Sequence, residues 1–196
     1  MEDRTRPRRR RESFAERRER RAAVDDPQVV LDAAARFLEA RSRSVAEVRR
    51  RLTQAGYQAE LIDGAIARLV ELGMLDDRAF GGAWVASRDR ARPRGERALR
   101  QELAQKGLDR AVVDELLEER RLGGDGDPVE ADRDAAARLL ARNARTLERV
   151  ADLRQRRSRA YALLARNGFD SETCTAAVRA WLDAAADEDP GEADEP

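Results

Sequence analysis

One short pattern recurs three times along this 196-residue chain, and it constrains the fold more than any other feature. Leu52-Thr-Gln-Ala-Gly56-Tyr57, Leu103-Ala-Gln-Lys-Gly107-Leu108 and Leu164-Ala-Arg-Asn-Gly168-Phe169 align without gaps on their glycines. Six positions after the glycine stand Ile62, Val113 and Cys174, and ten positions after it stand Ile66, Leu117 and Val178. The thirteenth position reads Leu69, Arg120 and Trp181, so the second copy departs there. A leucine four residues before a glycine, with an apolar residue just after it, marks a helix that ends in a left-handed residue and packs the following side chain back on its last turn. Each copy therefore predicts a helix, a tight turn around Gly56, Gly107 or Gly168, and a second helix.

An earlier helix completes each unit. Asp26-Pro27 supplies an N-cap and a proline at the first helical position, after which Val30, Ala34, Phe37 and Leu38 share a face. Ser44-Val-Ala-Glu47 opens the next helix as a capping box, and Leu61, Ile62, Ala65, Ile66 and Leu69 line the one after it. In the second unit a helix over 77–90 places Phe80, Trp84 and Ser87 on one stripe, and Pro93 and Gly95 break the chain before the next. Asp127-Pro128 is expected to open the third unit. Charged residues form 40% of the chain and aromatics 4%, too little apolar bulk for a thick core but enough for thin layers of paired helices. Runs of β-branched residues with period-two alternation are absent, so no sheet is expected. The expected fold is all-α: three tandem three-helix, helix-turn-helix-like repeats in an elongated curved array. They span 26–75, 76–122 and 129–183, with a linker over 123–128. Units this small need to share surface with their neighbours.

The formal net charge of zero conceals a separation. Residues 1–24 hold ten arginines against five acids, and residues 183–196 hold seven acids and no base. Both ends, 1–25 and 184–196, are expected to be disordered, because they offer little apolar surface to bury. Excess positive charge also falls around the middle helix of each unit, at 41–51, 88–106 and 142–159. Arg49, Arg50, Arg88, Arg92, Arg94, Arg97, Arg100 and Lys106 are the candidate binding residues, since the guanidinium fork pairs with carboxylates and phosphates. If the middle helices share a flank, these cations form one stripe facing DNA, an acidic protein surface or both.

Catalytic chemistry is poorly represented. There is no histidine, which removes the usual general base and the commonest metal ligand. The lone cysteine, Cys174, cannot form an internal disulfide, fits a reducing cytoplasm and reads as a small core residue. Asp76-Asp77 reads as helix capping and not as a metal site, since adjacent residues do not share a helix face. Asp125-Gly-Asp127 lacks the glycine of a calcium loop at position six, where Glu130 stands. Phe80 and Trp84, four apart, mark a buried helix face sooner than a base-stacking platform. No apolar run approaches a membrane span or a signal sequence. No cofactor and no metal are expected, and no enzyme.

The central block resembles a known family. Gly73-Met-Leu-Asp76-Asp77-Arg-Ala-Phe80, Ala86-Ser-Arg88, Arg94-Gly95 and Leu99-Arg-Gln-Glu102-Leu103-Ala-Gln-Lys106-Gly107-Leu108 are similar to RecX regulatory proteins, and Ser44, Leu52 and Gly56 extend the likeness into the first unit. The resemblance covers roughly residues 28–183; the charged ends, an extra Pro and Arg in the 92–95 loop, and the long linker before the third unit depart from it. It implies an all-helical, three-repeat modulator that lies in the groove of the RecA–DNA filament. Such a protein inhibits RecA's ATP hydrolysis, strand exchange and co-protease action, and in some members binds DNA. Asp76, Asp77, Phe80, Gly56, Gly95, Gly107 and Gly168 are then expected to fix geometry, and the cations to supply attraction. The chain is expected to act as a monomer in the cytoplasm with RecA as partner. A stand-alone regulator of single- or double-stranded DNA, or a helical scaffold, is the alternative.

Overall fold

The computed structural model describes residues 12–123 and 130–187. The expected linker beyond 123, the capped start at Asp127-Pro128 and the far ends of both tails lie outside those residues. Ten helices and no strand occur among the described residues. They are α1 (Phe14–Ala22), α2 (Pro27–Leu38), α3 (Val45–Ala55), α4 (Ala59–Glu71), α5 (Asp77–Ala91), α6 (Glu96–Gln105), α7 (Arg110–Leu122), α8 (Glu130–Glu148), α9 (Leu153–Arg166) and α10 (Ser171–Asp187). None is long and apolar enough to cross a membrane. The chain forms two compact units, one ending at Asp76 and one starting at Asp77. The first holds α1 and the triplet α2–α4; the second holds the triplets α5–α7 and α8–α10.

The three aligned glycines all take left-handed backbone, with φ of 100° at Gly56, 81° at Gly107 and 88° at Gly168. The residue after each donates its N–H back to the leucine carbonyl of the preceding turn: Tyr57 to Leu52 at 3.3 Å, Leu108 to Leu103 at 3.2 Å and Phe169 to Leu164 at 3.4 Å. Those bonds satisfy carbonyls that a helix end leaves orphaned, and they swing the chain directly into the next helix. The core repeats in the same register. Leu52, Leu103 and Leu164 are buried, as are Val48, Leu99 and Ala160 one turn earlier and Ile62, Val113 and Cys174 after the turn.

Helix starts follow local chemistry. The Asp26 carboxylate accepts from the Gln28 N–H at 2.8 Å, with Pro27 first in α2. The Ser44 hydroxyl accepts from the Glu47 N–H at 3.1 Å, and Asp109 and Asp152 cap α7 and α9 in the same manner. Asp76 directly precedes α5 and Asp77 opens it.

Three expectations are corrected. The basic arm is not disordered throughout, because residues 14–22 form α1. Ser13 and Glu16 build a reciprocal capping box, and the helix settles on the first triplet. A side chain at Gly56 would overlap Arg18, whose carbonyl oxygen lies 2.8 Å from the position of a Cβ there. The Gln58 amide ties the end of α1 down by donating to the carbonyls of Ala22 and Val24 at 3.0 and 3.1 Å. At the other end, α10 continues to Asp187, past the expected onset of the acidic tail. On α5 the inward stripe is Phe80, Gly81 and Val85, with Trp84 half-buried and Ser87 exposed. Gly81 explains the rotation: a Cβ there would collide with the methyls of Leu116 and Leu108, so α7 packs against bare backbone.

Within the second unit, the loop before α6 meets the turn between α9 and α10. The Gly95 N–H donates to the Asn167 carbonyl at 3.0 Å. A Cβ on Gly95 would overlap the backbone of Gly168 and Phe169, and one on Gly168 would overlap Ala98. Two glycines thus let two triplets touch backbone to backbone.

Gly107→Ala is expected to cost about 1–2 kcal/mol, the price of left-handed backbone for an L residue. Gly95→Ala, with an ordinary φ of −72°, isolates the steric effect at the seam and is expected to cost about 1–3 kcal/mol. Urea unfolding of each variant measures both. Cys174 is fully buried and burial pushes its thiol above the usual range. Since the thiolate is the reactive form, native protein at neutral pH is expected to resist a disulfide reagent that labels the urea-unfolded chain at once.

Candidate functional site

The middle helices carry fewer unpaired cations than the sequence count implies. Arg49 on α3 pairs with Asp63 on α4, and Arg100 on α6 pairs with Asp114 on α7. Each arginine lies seven residues before its glycine and each aspartate seven after it, so the pair is one structural device used twice. It clips the middle helix to the third across the turn. Arg100 also holds Glu96 at 3.0 Å, and the Arg100 guanidinium beside Asp114 keeps that carboxyl below its ordinary range. In the third repeat the same positions carry Tyr161 and Thr175, and no such clip is possible there.

Three of the candidate cations do converge, around Trp84. Arg88 follows one turn later on α5, while Glu102 and Lys106 come from α6 and its end, and Arg94 comes from the loop between the two helices. The indole N–H donates to Glu102 Oε2 at 2.8 Å, and Arg88 Nε donates to the same oxygen at 2.6 Å. Arg94 Nε lies 3.5 Å from Glu102 Oε1. The Arg88 guanidinium carbon sits 4.5 Å from the Trp84 ring centre and Lys106 Nζ 4.6 Å from it. A single carboxylate and one aromatic ring therefore gather three cations in one place. Trp84 is a scaffold for charge, and Phe80 behind it is core, with ring centres 6.1 Å apart.

The arrangement suits an anion. Cation–π contact orients Arg88 through its face and leaves in-plane N–H groups for an oxygen ligand. With Arg88, Arg94 and Glu102 each less than a third exposed, the charges lie in a partly dry setting where attraction exceeds that between fully solvated ions. Arg92 and Arg97 are exposed beside this cluster in sequence and make no ion pair among the described residues; Arg50, in the first unit, is likewise exposed and unpaired. Gly107 ends the turn just after Lys106.

Other residues that matter were not among the candidates. Arg120 stands where the other copies carry Leu69 and Trp181, and it is only 7% exposed. It donates to both Asp89 carboxylate oxygens at 3.0 Å and to Asp132 Oδ1 at 2.5 Å, tying α5 and α7 to α8. Burial pulls its pKa down, but its hydrogen bonds to these two carboxylates outweigh that and hold it above the ordinary value. Asp132 also accepts from the Glu96 N–H at the start of α6, and the Arg94 guanidinium donates to the Asn167 side chain across the seam. Arg142 donates to the carbonyls of Ala91 and Arg90 at 2.6 Å, where a positive charge meets the carbonyl end of α5. The broken apolar position at Arg120 was the sequence signal for this seam. On α9, Arg154, Arg157 and Arg159 are exposed and make no ion pair among the described residues, and the charge excess over 142–159 pointed to them.

Tandem three-helix repeats, closed by left-handed glycines and displaying a partly buried cationic cluster, define a class of all-helical repeat protein. Comparison with known proteins places it further. Residues 31–69 match the family described as RecX, first three-helix domain, and residues 76–117 match RecX, second three-helix domain. The chain is 33% identical over 152 residues to the regulatory protein RecX of Chlorobium phaeobacteroides strain BS1, covering 77% of this chain and 92% of that one. It is 37% identical over 149 residues to the regulatory protein RecX of Chlorobaculum tepidum, covering 76% and 86% respectively. The crystal structure of RecX from Lactobacillus salivarius shares the fold, with a TM-score of 0.69 at 19% identity over 82% of this chain and 98% of that one. The chain belongs to the RecX family of regulatory proteins.

Arg120→Ala leaves two partly buried carboxylates without their cation and is expected to cost about 3–5 kcal/mol in urea unfolding. A double-mutant cycle with Asp132→Asn is expected to recover part of that loss, because a neutral amide tolerates the site better.

Proposed function

We propose that this protein acts by binding the RecA–DNA filament and lowers RecA's ATP hydrolysis, strand exchange and co-protease activity without catalysing a reaction itself. The observation that carries the reading is the Trp84 cluster. It holds Arg88, Arg94 and Lys106 within the block that matches the second RecX three-helix domain, next to the exposed Arg92 and Arg97. Asp76, Asp77, Phe80, Gly95 and Gly107 shape the frame for those cations. Charge-assisted hydrogen bonds to carboxylates or phosphates contribute about 1.5–3 kcal/mol each, so a few of them give useful affinity on a repetitive partner. A ligand shifts a conformational equilibrium only by its differential affinity for the two states. The inhibitory reading therefore has the protein favouring one filament conformation and resisting the rearrangement needed for turnover. It acts as a monomer and in the cytoplasm, where RecA works on DNA.

The exposed arginines of α9 favour one secondary contribution, direct contact with DNA phosphates. A stand-alone DNA regulator differs from the filament reading in binding duplex DNA tightly, with a steep salt dependence, when RecA is absent.

The test is RecA's DNA-dependent ATPase rate with the protein added at low molar ratio. Inhibition is expected, and the triple variant Arg88→Gln, Arg94→Gln, Lys106→Gln is expected to need at least tenfold more protein for the same effect. An unchanged rate with intact filaments rejects the proposal.

A further inference from the structure

We propose that the first unit carries a separate pocket for a phosphate group, built by α1 on the α2–α3 face. A cavity of about 400 Å³ opens there, lined by Arg21, Arg36 and Arg51 together with Phe37, Leu52 and Tyr57. No acidic residue lines it. Three arginines on one recess repel one another, and such a group persists in a fold without a carboxylate only where solvent or a ligand neutralises it.

The aromatic rings organise the cations. The Arg21 guanidinium lies 5.7 Å from the centre of the Tyr57 ring, and Arg51 lies 5.8 Å from the centre of Phe37. A fourth arginine, Arg43, sits 4.3 Å from the Phe37 centre, and its Nε is buried without a hydrogen-bond partner. Ring contact leaves the guanidinium edge free to bond. Arg21, Arg43 and Arg51 make no ion pair among the described residues, whereas Arg49, next but one to Arg51 on α3, is committed to Asp63. Arg36 spends only its Nε, on the Asp32 carbonyl at 3.1 Å. Convergent, edge-free guanidiniums of this kind match the several oxygens of a phosphate better than the two of a lone carboxylate.

Docking of α1 closes one side of the pocket. Arg21 comes from α1, and Arg18 of the same helix rests on the bare backbone of Gly56. Arg21 and the rest of α1 lie before residue 31, outside the matched family domain, whereas Arg36, Phe37, Arg51, Leu52 and Tyr57 fall within it, so the extension adds one cation to a recess that the first repeat supplies. Six further arginines precede α1 in the sequence, at positions 4, 6 and 8–11, which suits a phosphate carried on a polyanion. A phosphate group reaches the pocket from one of two sources, a nucleic-acid strand or a free oligophosphate.

The experiment uses the full chain without RecA, so that its outcome is independent of the filament reading. Three labelled probes are compared by fluorescence anisotropy: a single-stranded oligothymidine, inorganic tripolyphosphate and polyglutamate of matched charge. Oligothymidine binding is expected, weakened about tenfold by Arg51→Gln and by Arg21→Gln, with the salt slope of log K falling by about 0.7 for each lost contact. Arg51→Lys, which keeps the charge and loses the fork, is expected to fall between. Arg110→Gln, in the second unit, is expected to leave affinity within twofold. Circular dichroism confirms that each variant keeps its helix content. Tripolyphosphate binding with the same sensitivity supports the pocket and identifies the free ion as a sufficient ligand. Neither phosphate probe binding, polyglutamate binding equally well, or Arg51→Gln and Arg51→Lys both behaving as the parent overturns the proposal.

Discussion

Every level of this structure depends on a helix-ending turn that only glycine takes without strain. At Gly56, Gly107 and Gly168 the chain passes through positive φ and the following residue bonds back to the leucine carbonyl. The next helix starts at once at a fixed angle. Because the turn is so short, the leucine before it and the apolar residues after it face the same way, and each triplet closes its core from a few side chains. A highly charged chain with few aromatics can fold on those terms, since no triplet needs more than a narrow apolar stripe.

The same turn does different work in each copy. In the first, the absence of a side chain at Gly56 lets α1 lie across it. In the third, Gly168 meets Gly95 and Ala98, and two triplets share a seam. In the second, Gly107 follows Lys106, which lies over Trp84 within the candidate binding cluster. Repetition supplies the scaffold, and what stands beside each glycine supplies the individuality.

Arginine has several fates in this protein, decided by neighbours and not by abundance. Arg49 and Arg100 close a clip between helices, Arg120 is buried between carboxylates at the seam, and Arg88 and Arg94 share Glu102 beside an indole. Others, such as Arg50, Arg92 and Arg97, are exposed and make no ion pair among the described residues. Buried pairing of the Arg120 kind serves geometry more than stability, because desolvation offsets much of the attraction. Its presence in place of an apolar residue therefore marks a point where orientation between triplets matters.

The glycine register, the capped helix starts at Asp26 and Ser44, and the all-helical triplets were legible in the order of residues alone. They rest on contacts within a few positions of each other, where backbone sterics and one side-chain oxygen suffice. The Ser13–Glu16 box was equally local, yet α1 was obscured by a charge density that reads as disorder until a docking surface is known. Only the tertiary structure decided which arginines are spent and which are free. Asp63, Asp89, Asp114 and Asp132 meet their partners across 12 to 31 residues of chain, and such pairing depends on distances that a sequence does not contain. Helix identity is a local steric matter, whereas charge availability is a long-range one, and long-range distances are set by packing.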